Sequence, residues 1–314
     1  MVSVIIPVYN GEKTIQATIA SVQQQTFNDI EIIIINDGST DKTVEIIHQI
    51  QDKRIKIFHY ENAGLSASRN RGITQASSDL VAFIDADDLW IPDKLASQLQ
   101  ALENHPDADI AYSWTDYIDA AGNFHKSGRR INANGNIYQQ LLLGNILENG
   151  SNPLIRKWVF EQVGGFDESL TAAEDWDMYL RLAANYQFVC TQKVGVLYRV
   201  TANSMSTNLI HQEQASVTVI NRAFNHPVAM QLQSLKKQSL ANIYKYLLFR
   251  CLEIEPKHRD GKLAGKYLWQ FIKHDVDRHQ QIRIILIAFL QILFPQIYSY
   301  GKHLINRKSP YYGV

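Results

Sequence analysis

Near the N-terminus four runs are rich in apolar residues: "VSVIIPVY" (2–9), "IEIIIIN" (30–36), "RIKIFHY" (54–60) and "DLVAFID" (79–85). β-Branched residues dominate them and the two-residue alternation of a one-sided sheet is missing, so they predict parallel strands covered on both faces. The stretches between them, "EKTIQATIASVQQQ", "TDKTVEIIHQIQ" and "SASRNRGITQA", predict helices, the second opened by Ser39 or Thr40 as N-cap. Repeated strand–helix–strand units lead to an open α/β sheet, which binds its ligands at the carboxyl ends of the strands. The polar residues closing these strands are Tyr9 and Asn10, Asn36 and Asp37, Glu61 and Asn62, and the run from Asp85 to Asp88. Four strand ends thus bring acidic and amide groups to one rim, the candidate site.

Beyond the rim the pattern is less regular. "DIAYSWTDYID" (109–119) and "FHKSG" predict a strand and hairpin, and "NPLIRKWVFEQVGGFDESL" a strand, a short helix and a Gly-Gly stop. "AEDWDMYLRLAAN" is an amphipathic helix pattern, and "VGVLYRV" a last strand. From about residue 208 the chain reads as helices only, so the expected division is a sheet domain over 1–207 and a helical region over 208–314.

Composition narrows the class. With 46% hydrophobic residues in 314, the chain suits a packed globular protein and not a disordered one. Cys190 and Cys251 are too few for a disulfide framework and lie in apolar segments, as small core residues do. "MVSVIIPVYN" has no basic leader and its apolar run is short, so a cytoplasmic location is expected. Net charge is zero but unevenly spread: residues 1–235 hold 17 Lys and Arg against 26 Asp and Glu, a net of −9, and residues 236–314 hold 14 against 5, a net of +9. Halves of opposite sign point to different tasks.

The chemistry concentrates in "LVAFIDADDLW". Asp85, Asp87 and Asp88 repel one another unless a cation lies among them. If the extended conformation continues, Asp85 and Asp87 project to the same side and offer hard oxygen donors. Such donors suit Mg²⁺ or Mn²⁺, and Mg²⁺ commonly takes further ligands from substrate phosphates. A calcium loop is ruled out by spacing, since Trp90 stands where Gly is needed and Ala96 where Glu is needed. Capping of the helix expected near Pro92 would account for Asp88 but not for all three. Neither phosphate-loop nor dinucleotide fingerprint occurs. In "ENAGLSASRNRG", however, Gly64 permits a turn, and Arg69 and Arg71 follow in the first turns of a helix, where a diphosphate would find both guanidinium and helix dipole.

Taken together and in order, "VSVIIPVYNGEKTIQATIASVQQQTF", "IIINDGSTDKT", "NAGLSASRNRGI", "FIDADD" and "EDWDMYLR" resemble the family 2 inverting glycosyltransferases of the GT-A fold, over roughly residues 1–206. The resemblance implies a nucleotide diphosphate sugar donor, with Pro7 and Tyr9 lining the base pocket and Asp37 accepting from the base. Glu12 and Asp85 would lie by the ribose, with Ala86 beside them, and Arg69 would face the diphosphate. Asp87, with Asp85, would bind Mn²⁺ or Mg²⁺. Transfer also needs a base for the acceptor hydroxyl. With Trp176, Met178, Leu180, Leu182 and Ala183 packed inward, Glu174 and Asp175 open a helix whose dipole favours carboxylates. The family's base is the second acid of this pair, here Asp175. Asp177 reads as structural or solvated. Many relatives have a His in the "YR-x-H-x-x-S-x-S" segment where this chain, "YRVTANSMS", has Thr201; Arg199, Ser204 and Ser206 are kept. Arg199 would then supply the remaining cation.

The activity so implied is transfer of a sugar, of hexosyl type, to a saccharide or lipid-linked saccharide acceptor in surface polysaccharide or glycolipid synthesis. Nucleic acid is not an expected partner. A nucleotidyltransferase would need a Gly-rich basic loop after the first strand, and "YNGEKT" lacks one. A non-catalytic sugar-nucleotide-binding protein would be expected to lose the metal aspartate or the base, and both are present. The basic region leaves two alternatives. "IILIAFLQILF" (284–294), followed by Pro295 and "QIYSYGKHLINRK", is too short to span a bilayer. It suits either burial in a helical bundle or homo-oligomer contact, or peripheral attachment to an anionic membrane surface at the inner face of the plasma membrane.

Overall fold

The structure, a computed structural model, describes residues 1–201, 207–254, 257–275 and 278–294. The chain divides into two compact units: Met1–Leu141 with Asn145–Ala202, and Leu142–Gly144 with Asn203–Val314.

The first unit is built on one nine-stranded sheet. Strands β1 (Val2–Val8), β2 (Ile30–Asp37), β3 (Ile55–Tyr60) and β4 (Leu80–Phe83) alternate with helices α1 (Ile15–Gln23), α2 (Thr43–Gln49) and α3 (Leu65–Gln75). These strands lie in the order β3-β2-β1-β4 and all pair in parallel. Every residue of β1 and β2 is buried, which is why their sequences carry no alternation. The remaining strands are β5 (Leu89–Trp90), β6 (Ile110–Ile118), β7 (Phe124–Ser127), β8 (Leu154–Arg156) and β9 (Phe188–Arg199). Here the sheet is mixed, β8 running antiparallel to both β4 and β6 while β9 runs parallel to β6. The expected open sheet is therefore present, wholly parallel over β3-β2-β1-β4 and mixed beyond β4. Helices α4 (Lys94–Asn104), α5 (Tyr138–Leu143), α6 (Val159–Val163) and α7 (Glu174–Ala183) complete the layers.

Several boundaries differ from the sequence reading. The last strand starts at Phe188, well before Val194. Neither Ser39 nor Thr40 caps α2, because Asn10 claims both: its N–H donates to Ser39 Oγ at 3.0 Å and its Oδ1 accepts from the Thr40 N–H at 2.8 Å. The helix begins at Thr43, whose N–H donates to Asp41 Oδ1 at 3.0 Å. Asp88 does not cap the helix after Pro92 either; α4 starts at Lys94 and follows Asp93.

The second unit is helical over its described residues: α8 (Leu209–Asn225), a 3₁₀ stretch Pro227–Leu235, α9 (Lys236–Glu253), α10 (Gly261–His274) and α11 (Arg278–Leu293). Ile243, Leu247, Leu248, Tyr267, Leu268 and Phe271 form its interior. None of the described helices is long and apolar enough to cross a membrane. Ser204, Ser206, Pro295 and the segment after it lie outside the described residues.

Candidate active site

Because β3, β2, β1 and β4 are parallel neighbours, their carboxyl ends share one rim. Asp37 closes β2 and is almost fully buried. Its Oδ1 accepts from the Ala63 N–H at 3.0 Å and from Arg71 at 2.9 Å, and its Oδ2 accepts from the Gly64 N–H at 2.8 Å. The left-handed backbone of Gly64, φ 91°, aims that N–H and starts α3. Pro7 is buried in β1 opposite Ile35. Tyr9, one residue past the strand, is 56% exposed. Glu12 is exposed and joins two loops, its Oε2 accepting from the Lys42 N–H at 3.2 Å and its own N–H donating to Asp41 at 3.1 Å.

The aspartate run does not stay extended. Strand β4 ends at Phe83 and the chain turns through Ala86 and Asp87, with the Asp88 N–H donating to the Asp85 carbonyl at 3.0 Å. Thr18 Oγ1 lies 2.9 Å from the Ala86 and Asp88 carbonyls and pins the turn to α1. Alternation thus fails as the reason for Asp85 and Asp87 to converge, yet the turn keeps them close. Burial, then the charge of Asp85, pushes the Asp87 carboxyl up to about 6, opposed in part by Arg199. Asp88 points into the protein and is fully buried. Its Oδ2 accepts from Ser151 Oγ at 2.5 Å and its Oδ1 from the Arg199 N–H at 2.9 Å. Burial and its two acidic neighbours hold this carboxyl well above the usual range, so it fixes the turn to β9.

Arg69 is enclosed, at 1% exposure. Its Nη2 donates to Asp85 Oδ1 at 2.7 Å and its Nη1 to Glu174 Oε1 at 2.9 Å, while Phe166 lies under the guanidinium at 5.2 Å. Burial works against its charge, and Asp85 and Glu174 more than restore it. One guanidinium therefore ties the strand-end acids to the start of α7, 105 residues further along the chain.

Helix α7 begins after Ala173, which takes the left-handed φ of 55°. Trp176, Leu180 and Ala183 share one face and are buried, and Met178 and Leu182 on the other side are buried too, so α7 is enclosed nearly all round. Asp177 is structural, paired with Arg181 at 2.8 Å, and Arg181 also donates to the Val163 and Gly165 carbonyls. Asp175 accepts from its neighbouring Trp176 N–H at 2.7 Å and from Asn145 Nδ2 at 3.0 Å. Burial, then the charge of Glu174, pushes it up to about 7, with Arg69 opposing. A carboxylate held near neutrality is suited to take a proton.

Arg199, at the end of β9, is buried with Nε on the Asp87 carbonyl at 2.7 Å and Nη1 on the Asp119 and Ala120 carbonyls at 3.2 and 3.0 Å. The loop "NGSN" (149–152), which the sequence reading passed over, organises the centre. Ser151 Oγ also accepts from the Asp85 N–H at 2.9 Å, Asn149 supports Ser151, and Tyr179 donates to the Asn149 carbonyl at 2.9 Å. Its only signal was a polar run just before a short strand. Among the described residues no group of three or more His, Cys, Asp or Glu could by itself hold a metal ion. The crowded charge of Asp85 and Asp87 nevertheless fits a divalent cation that takes its other ligands from phosphate and water.

A deeply buried Arg thus joins two acidic pairs at the carboxyl rim of an open sheet, where such sheets bind their ligands. The family model for glycosyltransferase-like family 2 matches residues 3–251, and the chain belongs to that family. It is 31% identical over 249 residues to an uncharacterized glycosyltransferase of Rickettsia typhi, covering 77% of this chain and 75% of the other. A second, of Methanocaldococcus jannaschii, is 31% identical over 206 residues, 64% of this chain and 71% of the other. The fold is that of Staphylococcus aureus TarS residues 1–349, solved in complex with UDP-GlcNAc: TM-score 0.56, 18% identity, 90% of this chain and 91% of that one.

Proposed function

We propose that this glycosyltransferase moves a hexosyl group from a nucleotide diphosphate sugar to an acceptor hydroxyl with inversion, by a single displacement. The observation that carries the reading is the pairing of acids by Arg69, which leaves Asp87 and Asp175 with raised pKa values at two ends of one cluster. The TarS neighbour binds UDP-GlcNAc, which supports a sugar nucleotide as donor. In this reading Tyr9 stacks on the base, with Pro7 behind it and Asp37 accepting from it, and Glu12 and Asp85 approach the ribose beside Ala86. Asp85 and Asp87 would hold a Mg²⁺ or Mn²⁺ ion, which when bound neutralises charge on the departing diphosphate. Arg69 acts by positioning Asp85 and Glu174, and Arg199 by holding the Asp87 turn. Asp175 accepts the proton of the acceptor hydroxyl as its oxygen bonds to the anomeric carbon. The bond from that carbon to the diphosphate oxygen breaks, and its electron pair leaves with the nucleotide.

The acceptor, in this reading, is a saccharide or a lipid-linked saccharide of a surface polysaccharide or glycolipid. The test is a panel of nucleotide diphosphate sugars with Mn²⁺, read first by thermal stabilisation and then by the anomeric configuration of the product. A donor at about a hundred times its Kd adds roughly 2.7 kcal/mol. A product that keeps the donor's configuration overturns the single displacement.

A further inference from the structure

Helix α11 turns its largest side chains outward. Ile282, Leu286, Phe289, Leu290 and Leu293 are each about half exposed, whereas Ala288 is fully buried. Spacings of three and four residues put the five on one stripe, and an apolar stripe of this kind left in water marks a contact surface. Helix α10, in contact with α11, has its own outer face of Lys262, Lys266, Trp269 and Lys273, all exposed. Nearby acids are used within the same unit. Glu213 accepts from Lys266 at 2.6 Å, Glu253 pairs with Arg250 at 3.0 Å, and Asp260 accepts from the Lys262 and Leu263 N–H groups that open α10. With these acids engaged, the positive charge of Lys262 and Lys273 stays exposed on this face. His274 registers it: burial lowers its pKa, and Lys273 and Lys237 lower it further.

We propose that the outer faces of α10 and α11 dock the protein on an anionic lipid bilayer, α11 lying in the plane of the interface with its stripe among the upper acyl chains. A second copy of the chain would be served by the apolar stripe alone. An exposed tryptophan and a surplus of lysine beside that stripe fit a surface that is both apolar and negative, since Trp and Lys belong at the headgroup level and each cation there is attracted. The stripe from Ile282 to Leu293 rises only about 17 Å, against about 30 Å for the hydrocarbon core, so the helix lies on the bilayer instead of crossing it.

The full chain is sedimented with vesicles of phosphatidylcholine alone or mixed with phosphatidylglycerol, without donor or acceptor, so the outcome is independent of the transfer reaction. It is expected to pellet with the mixed vesicles, and less so at high salt. Leu286→Glu with Phe289→Glu lowers the bound fraction on the order of tenfold or more, with an unchanged melting temperature because both side chains face water. Lys262→Glu with Lys273→Glu weakens binding to the anionic vesicles only. Absence of pelleting by the wild type, equal pelleting with both vesicle types, or unchanged pelleting of the Leu286 and Phe289 variant each overturns the proposal. Light scattering that finds a dimer split by that variant, with no vesicle binding, assigns the stripe to a subunit contact.

Discussion

Two acidic corners of the first unit, the turn after β4 and the start of α7, are built alike and end differently. Each offers a pair of carboxylates, and Arg69 neutralises one member of each, Asp85 in the first and Glu174 in the second. The other member, Asp87 or Asp175, keeps charge that its neighbour makes costly, and its pKa rises. What separates them is the remaining surroundings. The charge of Asp87 is favoured by Arg199, whereas that of Asp175 is favoured by Arg69 and by the amide N–H groups of Asn145 and Trp176 that it accepts from. The comparison teaches that a single buried cation, by pairing with one carboxylate of each corner, leaves the other with a raised pKa, as the two tasks proposed above require.

The largest expected effects come from removing the two uncommitted acids separately. Asp87→Ala abolishes transfer and metal-dependent donor binding with the fold intact. Asp175→Asn keeps donor binding and lowers turnover by about 10²–10⁴. Equal loss of donor binding in both, measured by titration calorimetry, would erase the distinction between the corners. Next comes the shared cation. Arg69→Met leaves Asp85 and Glu174 without their partner, and breaking such a buried pair costs roughly 3–5 kcal/mol, read from denaturant unfolding. A loss below about 1 kcal/mol, the worth of an exposed pair, would show that the two corners stand independently.

The smallest effect tests the surroundings of Asp175. As a base it must be ionised, so turnover falls about tenfold per unit as pH drops below about 7 and levels off above it. Asn145→Ala removes an N–H that favours the charged carboxylate, so this limb moves to higher pH while the plateau stays. A pH profile that does not move refutes a positioning role for Asn145.

Much of this was readable from local pattern. Unbroken β-branched runs gave β1 and β2 because burial on both faces is a property of the strand itself, and the helical spacing of Trp176, Leu180 and Ala183 gave one inward face of α7. The rim acids followed from strand direction. What local pattern does not contain is partnership across long separations. Ser151 meets Asp88 across 63 residues and Arg69 meets Glu174 across 105, and nothing adjacent to either residue announces it. Ser39 and Thr40 have the chemistry of an N-cap, but Asn10, which also takes a left-handed φ of 50°, captures them first. Asp88 likewise has the chemistry of a cap, and its burial against Ser151 and β9 decides otherwise.

Gly150 puts a limit on how this enzyme can be varied. A β-carbon there would overlap Nη2 and Cζ of Arg69, so even alanine would push the guanidinium off its two carboxylates. The residue need touch no substrate, and its backbone angle does not demand glycine, yet it is as restricted as any catalytic group. A graft into the segment between α5 and β8 that fills this one position would uncouple both acidic corners at once.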